Sequence, residues 1–133
     1  MNTVPYFIND IYNKWVEAVK TKVGKNHSMD SSTLINKLPY ASLYFIGFPT
    51  STTDLEGDEC AVTSTVQIDI YTNGQKALTE VYTIDEVSHK AMVSMGFRRT
   101  YGPEFIRNLS DTSIKRLSSR YSRIIGGGDK INY

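Results

Sequence analysis

One cysteine and two histidines among 133 residues leave little material for cross-links or metal ligation. Cys60 alone excludes an intramolecular disulfide, and having only His27 and His89 for company argues against a structural zinc site. Cys60 is then simplest as a small buried apolar residue. No run of about eighteen apolar residues occurs, and no charged start leads into a short apolar core. Neither a membrane span nor a secretory leader is therefore expected, and the expected setting is a cytoplasm or something assembled there. Catalytic constellations are missing too. Ser88 and His89 are neighbours on a helical pattern, where adjacent residues do not face each other, so they form no nucleophile and base. The run Gly126-Gly127-Gly128 lacks the Lys-Ser/Thr of a phosphate loop. Asn26-His27-Ser28 and Asn108-Leu109-Ser110 match a glycosylation sequon only by chance in such a setting. The chain is not expected to be an enzyme or to carry a cofactor.

What is present is a strand followed by a helix, from Ala61 to Phe97. From Val62 to Ile70 the residues alternate: Val62, Ser64, Val66, Ile68 and Ile70 take one face, and Thr63, Thr65, Gln67, Asp69 and Tyr71 the other. Thr72-Asn73-Gly74 ends the alternation. Leu78, Val81, Ile84, Val87, Ala91, Met92 and Met95 then recur at helical spacing, and Gly96 stands where a left-handed cap belongs. This helix is expected to lay its stripe on the Val62 to Ile70 face.

Around that unit the chain has enough apolar residues, 40%, for one core burying roughly two-thirds of its unfolded surface. A helix is predicted from Pro5 to Val23, with Ile8, Ile11, Tyr12, Trp15, Val16, Val19 and Val23 on its apolar side and Trp15 as a core anchor. Gly24 to Thr33 is polar and is predicted as a loop that leaves His27 exposed. Leu38 to Phe48 is apolar on both faces and suits an interior strand. Pro49 to Glu59 breaks periodicity and holds Asp54, Glu56, Asp58 and Glu59. Their order lacks the spacing of a calcium loop, so a solvated loop that orders against a partner is expected. Phe97 to Tyr101 suits a strand that Gly102-Pro103 interrupts, followed by an irregular connection from Glu104 to Thr112. Ile114 to Ile125 fits a helix slightly better by period, yet Ser118, Ser119, Tyr121 and Ser122 favour a strand, which is the preferred assignment. His89 is expected on an exposed helix face.

These elements amount to an α+β domain over residues 1–126, a small mainly antiparallel four-stranded sheet with two helices on one face in the order α-β-β-α-β-β. Residues 127–133 are expected to be a flexible C-terminal tail. Charge is split along this order. Through Met95 seven Lys/Arg face eleven Asp/Glu, a net −4; from Gly96 onward eight face three, a net +5, and the total is +1. Such polarity suits nucleic acid on the basic part, head-to-tail contact between copies, or simply two solvated faces.

The strand ending in Gly47-Phe48-Pro49, the charged loop after it, the Val62 to Tyr71 strand with its helix, then Met95-Gly96-Phe97-Arg98-Arg99-Thr100 and the Arg-rich Ser118 to Ile124 stretch resemble the tail terminator, or tail completion, proteins of long-tailed bacteriophages. The resemblance spans about residues 5–126. It implies a non-enzymatic virion protein that forms a ring, commonly of six subunits, on the head-proximal end of the tail tube. That ring would stop tube polymerisation and join the tail to the head connector, with the tail sheath as a further contact and unread duplex DNA in its lumen. Assembly would take place in the host bacterial cytoplasm, with no membrane partner. Arg98, Arg99, Arg116, Arg120 and Arg123 would be shared between subunit contacts and the DNA passage, and Asp54, Glu56, Asp58 and Glu59 would form a loop docking on tube or connector. Reversing Arg116 and Arg120 to Glu is expected to abolish the ring and leave a folded monomer. Two alternatives are a head completion or adaptor protein of the neck, and a small nucleic-acid-binding α/β domain whose Tyr101, Phe105 and Tyr121 interleave with the basic residues.

Overall fold

The computed structural model describes residues 4–29, 37–47, 50–53, 59–106 and 113–126, with the backbone alone at 4–7, 50–53, 59–62 and 126. Helix α1, Val4–Val23, buries Ile11, Trp15, Val19 and Val23, which are four residues apart and so fall on one side of the helix. Gly24, at φ 64, ends it, and Lys20 and Lys22 place positive charge at its carbonyl end. Strands β1 (His27–Ser28), β2 (Tyr40–Gly47), β3 (Thr50–Thr53) and β4 (Glu59–Thr72) follow, then helix α2 (Ala77–Ser94), β5 (Arg98–Ile106) and β6 (Lys115–Gly126).

The described strands form one six-stranded sheet in the order β1-β2-β4-β6-β5, with β3 also paired to β4. β1 runs parallel to β2 and every other pairing is antiparallel, so the sheet is mixed. The expected count of four strands is corrected by the two short ones. β1 arises in the polar stretch after α1, and β3 in the broken stretch after β2. Neither is long enough to show a period of two, and pairing to a longer neighbour is what makes them strands. The segment 114–125 resolves as strand, β6, which pairs with β4 from Lys115 opposite Thr72 to Gly126 opposite Ala61. Gly102-Pro103 does not end β5. The strand continues to Ile106 through a register shift between Tyr101 and Glu104. Gly102 has φ +85, and a Cβ there would lie 2.4 Å from the Ser118 carbonyl oxygen, so only glycine fits this close approach.

The core lies between the helices and one face of the sheet. Trp15 and Ile11 of α1 and Val81, Ile84, Met92 and Met95 of α2 meet Leu43, Val66, Ile68, Ile70, Leu117, Tyr121 and Ile125. The alternation in β4 holds: Ser64, Val66, Ile68 and Ile70 are buried on the helix side. The inward stripe of α2 needs correction, since Leu78 is 54% exposed and Val87 only half-buried, while Asp85 and Ser88 are buried. Partners explain this. The Trp15 indole donates to Ser88 Oγ at 2.8 Å, and Asp85 takes an ion pair from Arg99, so polar groups can occupy the buried face. The end of α2 is as expected. Gly96 has φ +83, Phe97 N–H donates to the Met92 carbonyl and Gly96 N–H to that of Val93, the paired bonds of a Schellman cap.

Candidate assembly surface

Both helices cover the same face of the sheet, and among the described residues nothing covers the other. Because side chains alternate along a strand, the register fixes what this open face carries: Tyr40, Ser42 and Tyr44 on β2, Thr65, Gln67, Asp69 and Tyr71 on β4, and Arg116, Ser118, Arg120, Ser122 and Ile124 on β6. At its centre the Asp69 carboxylate is 2% exposed. Tyr44 donates to it at 3.0 Å, Gln67 Nε2 at 3.1 Å, Arg116 Nη2 at 3.1 Å, and the Ser118 hydroxyl donates as well. Four donors replace the water that this carboxylate loses, which is how a charge comes to be buried on a sheet face. The same arrangement suppresses ionisation of its tyrosine neighbours. Burial first, then the Asp69 charge and its hydrogen bond, push the Tyr44 phenol up from 10.0 to about 12, and burial and Asp69 raise Tyr71 as well. Burial is the largest single influence on Arg116 and opposes its charge, yet Asp69, Tyr71 and Tyr44 together outweigh it, and the net shift is upward.

The five expected arginines are not one group. Arg116 sits over the Tyr71 ring, 5.6 Å from its centroid, and its Nε is buried with no partner among the described residues. Exposed Arg120 donates to Gln67 Oε1 at 3.1 Å and lies 5.4 Å from the Tyr101 ring centroid. Arg98 is exposed, opposite Ser122 in register, and makes no ion pair among the described residues. Arg99 and Arg123 lie on the helix side instead. Arg99 pairs with Asp85 at 2.8 Å and donates twice to the Tyr121 hydroxyl, from Nε at 2.9 Å and from Nη2. With both lone pairs of that oxygen engaged, the phenol keeps its own proton for His89 Nδ1, 2.9 Å away. Burial above all raises the Tyr121 phenol to about 12, against the lowering effect of Arg99. Arg123 Nη1 donates to the Met95 carbonyl at 2.7 Å and its guanidinium lies along Gly96, a cation on the negative end of α2.

His89 is thus half-buried in a network rather than exposed, and His27 is half-buried against the Tyr12 hydroxyl at 2.6 Å. Both corrections come from partners that are 32 and 15 residues away in sequence. Of the expected docking residues, Asp54, Glu56 and Asp58 lie outside the described residues, and Glu59 opens β4 with its side chain outside them. Residues 127–133 and the Cys60 side chain also lie outside them. Asp69, Tyr44 and Gln67 were not anticipated as a site. The only sequence signal for Gln67 and Asp69 was polar chemistry at alternate positions of a long strand, and Tyr44 comes from a different strand, β2. Among the described residues no group of three or more His, Cys, Asp and Glu could hold a metal ion, and no helix is long and apolar enough to cross a membrane.

The fold has a counterpart in a virion. A chain in the virion of a native gene transfer agent particle is similar to this one, with a TM-score of 0.62 at 14% sequence identity, the match covering 96% of this chain and 100% of that one. At that identity the likeness is one of fold. No family model and no curated protein matches the sequence.

Proposed function

We propose that this chain is a structural protein of a phage-like virion, a ring subunit at the head-proximal end of a tail tube that terminates the tube and joins the tail to the head connector. The observation that carries this is the end-to-end fold match to a virion chain. The sheet supports it. One face is taken up by helices and the other, uncovered among the described residues, is a polar surface with Arg98, Arg116 and Arg120 on it, the arrangement a ring needs if its inner wall is to let a polyanion pass without reading it. The proposed role is structural and non-enzymatic. The ring has several copies, six in this reading, with the tube protein and neck proteins as axial partners and the sheath as a lateral one. It assembles in the bacterial cytoplasm.

Light scattering of the purified chain across a concentration series, alone and with its cognate tube protein, tests the reading. A closed ring, or a monomer that becomes a ring cap on tubes, is the expected result. A monomer indifferent to tubes at every concentration overturns it, and strong salt-dependent DNA binding by that monomer would replace it with the nucleic-acid function, for which Arg120 stacked on exposed Tyr101 is the supporting observation. The charge reversal used for the ring contact has to change. Arg116→Glu would set a second carboxylate against buried Asp69 and unfold the chain, so Arg98 and Arg120 are the positions to reverse.

A further inference from the structure

Strand β6 outruns β5. Their pairing starts at Ser122 opposite Arg98, while Arg123 to Gly126 continue along β4 with no described strand on their other side. This step leaves a shallow groove lined by Thr63, Gly96, Arg98, Ser122, Arg123 and Ile124. Among the described residues its lining holds two cations, no carboxylate, and an isoleucine that is 62% exposed. An extended segment with several carboxylates and an apolar residue is the chemistry that fits.

This chain contains a segment of that composition. Residues 54–58 read Asp, Leu, Glu, Gly, Asp, and they join β3 to Glu59 at the start of β4. β3 lies on the β2 side of β4, because β6 occupies the other side, so the segment springs from the margin of the sheet opposite β5. It springs from the same end of the strands as the groove, since Thr53 pairs with Glu59 and Gly126 with Ala61. The two features are thus level with each other and on opposite margins. A rotation about an axis along the strands carries the segment of one copy to the groove of the next without a climb, and a level head-to-tail contact closes into a ring where a climbing one makes a filament.

We infer that residues 54–58 of one copy dock in the β5-step groove of its neighbour, with Arg98 as the main cation and Ile124 facing Leu55. This rests on the ring reading and names its contact. The acidic first part of the chain then meets the basic last part between copies.

Complementary charge swaps in the full-length chain test it. Arg98→Glu, and separately the triple change of Asp54, Glu56 and Asp58 to Lys, should each raise the half-assembly concentration in light scattering about tenfold or more, with unchanged circular dichroism. Mixed in equal amounts the two variants should assemble again, because every joint in an alternating ring then pairs opposite charges. Wild-type rings with both variants unaffected, one variant alone affected, or no rescue on mixing each overturn this contact while leaving the ring reading standing. A wild-type chain that stays monomeric with and without tubes overturns both. If Arg98→Glu keeps the ring but releases duplex DNA that wild type retains, the groove belongs to a phosphate backbone instead.

Discussion

The two faces of the sheet each bury one aspartate against one arginine, and they do it in opposite surroundings. On the covered face Asp85 and Arg99 are a charged node in an apolar layer, with Tyr121 and His89 completing it. On the open face Asp69 and Arg116 sit in a polar layer of Tyr44, Gln67 and Ser118. Asp69 is the more deeply buried of the two carboxylates although no helix covers it. Its side chain is 2% exposed against 11% for Asp85. Burial on a sheet face thus comes from cross-strand neighbours as well as from a packed layer, since opposed side chains stand only about 5 Å apart. The covered face holds the apolar core, and among the described residues no second layer packs on the open face.

The largest break in this comparison is Trp15→Ala. It removes a fully buried side chain and leaves Ser88 without its indole donor, so urea unfolding should show a loss of about 3–5 kcal/mol. Asp69→Ala comes next. It strips the shared acceptor from Tyr44, Gln67, Arg116 and Ser118, and about 3 kcal/mol should be lost. Asp85→Ala should cost less, about 2 kcal/mol, because Arg99 keeps the Tyr121 hydroxyl and retains some solvent access. A larger loss for Asp85 than for Asp69 in the same denaturation series would reverse the ranking of the two nodes.

Titration sharpens the same contrast. Tyr44 and Tyr121, one on each face, are both raised from 10.0 to about 12. A phenol that holds its proton more tightly when folded contributes stability that is fully present below pH 10 and is lost as pH rises through 12. Thermal unfolding should therefore fall steeply between pH 10 and 12. Tyr44→Phe and Tyr121→Phe should each flatten that fall, and an unchanged profile in either variant would take that tyrosine out of the account. The smallest effect on stability belongs to Arg120→Glu, within about 0.5 kcal/mol by denaturation, since the side chain is exposed. Its consequence should be read in assembly or DNA retention instead.

Much of the scaffold was legible because it is periodic and long. The four-residue spacing of Ile11, Trp15, Val19 and Val23, the alternation of β4 and the glycine after Met95 each report a local rule that survives folding. β1 and β3 were not legible, since two and four residues carry no period. The arginines were recognised as important but not sorted, because parity within a strand, not residue type, sends Arg99 inward and Arg98 outward, and parity has no meaning until the strand has a sheet to belong to.

By itself the sequence determined two helices, the main strands, the left-handed cap at Gly96 and the polarity of charge along the chain, because each follows from contacts or conformations within a few residues. The tertiary structure bore out the preferred strand over the helical alternative at Ile114 to Ile125, and it alone decided that Asp69 is buried among donors up to 49 residues away and that α2 turns Ser88 rather than Leu78 inward. Those outcomes depend on partners brought together only when the chain closes on itself, and the energy of a buried polar group is set by its partner rather than by its own residue type.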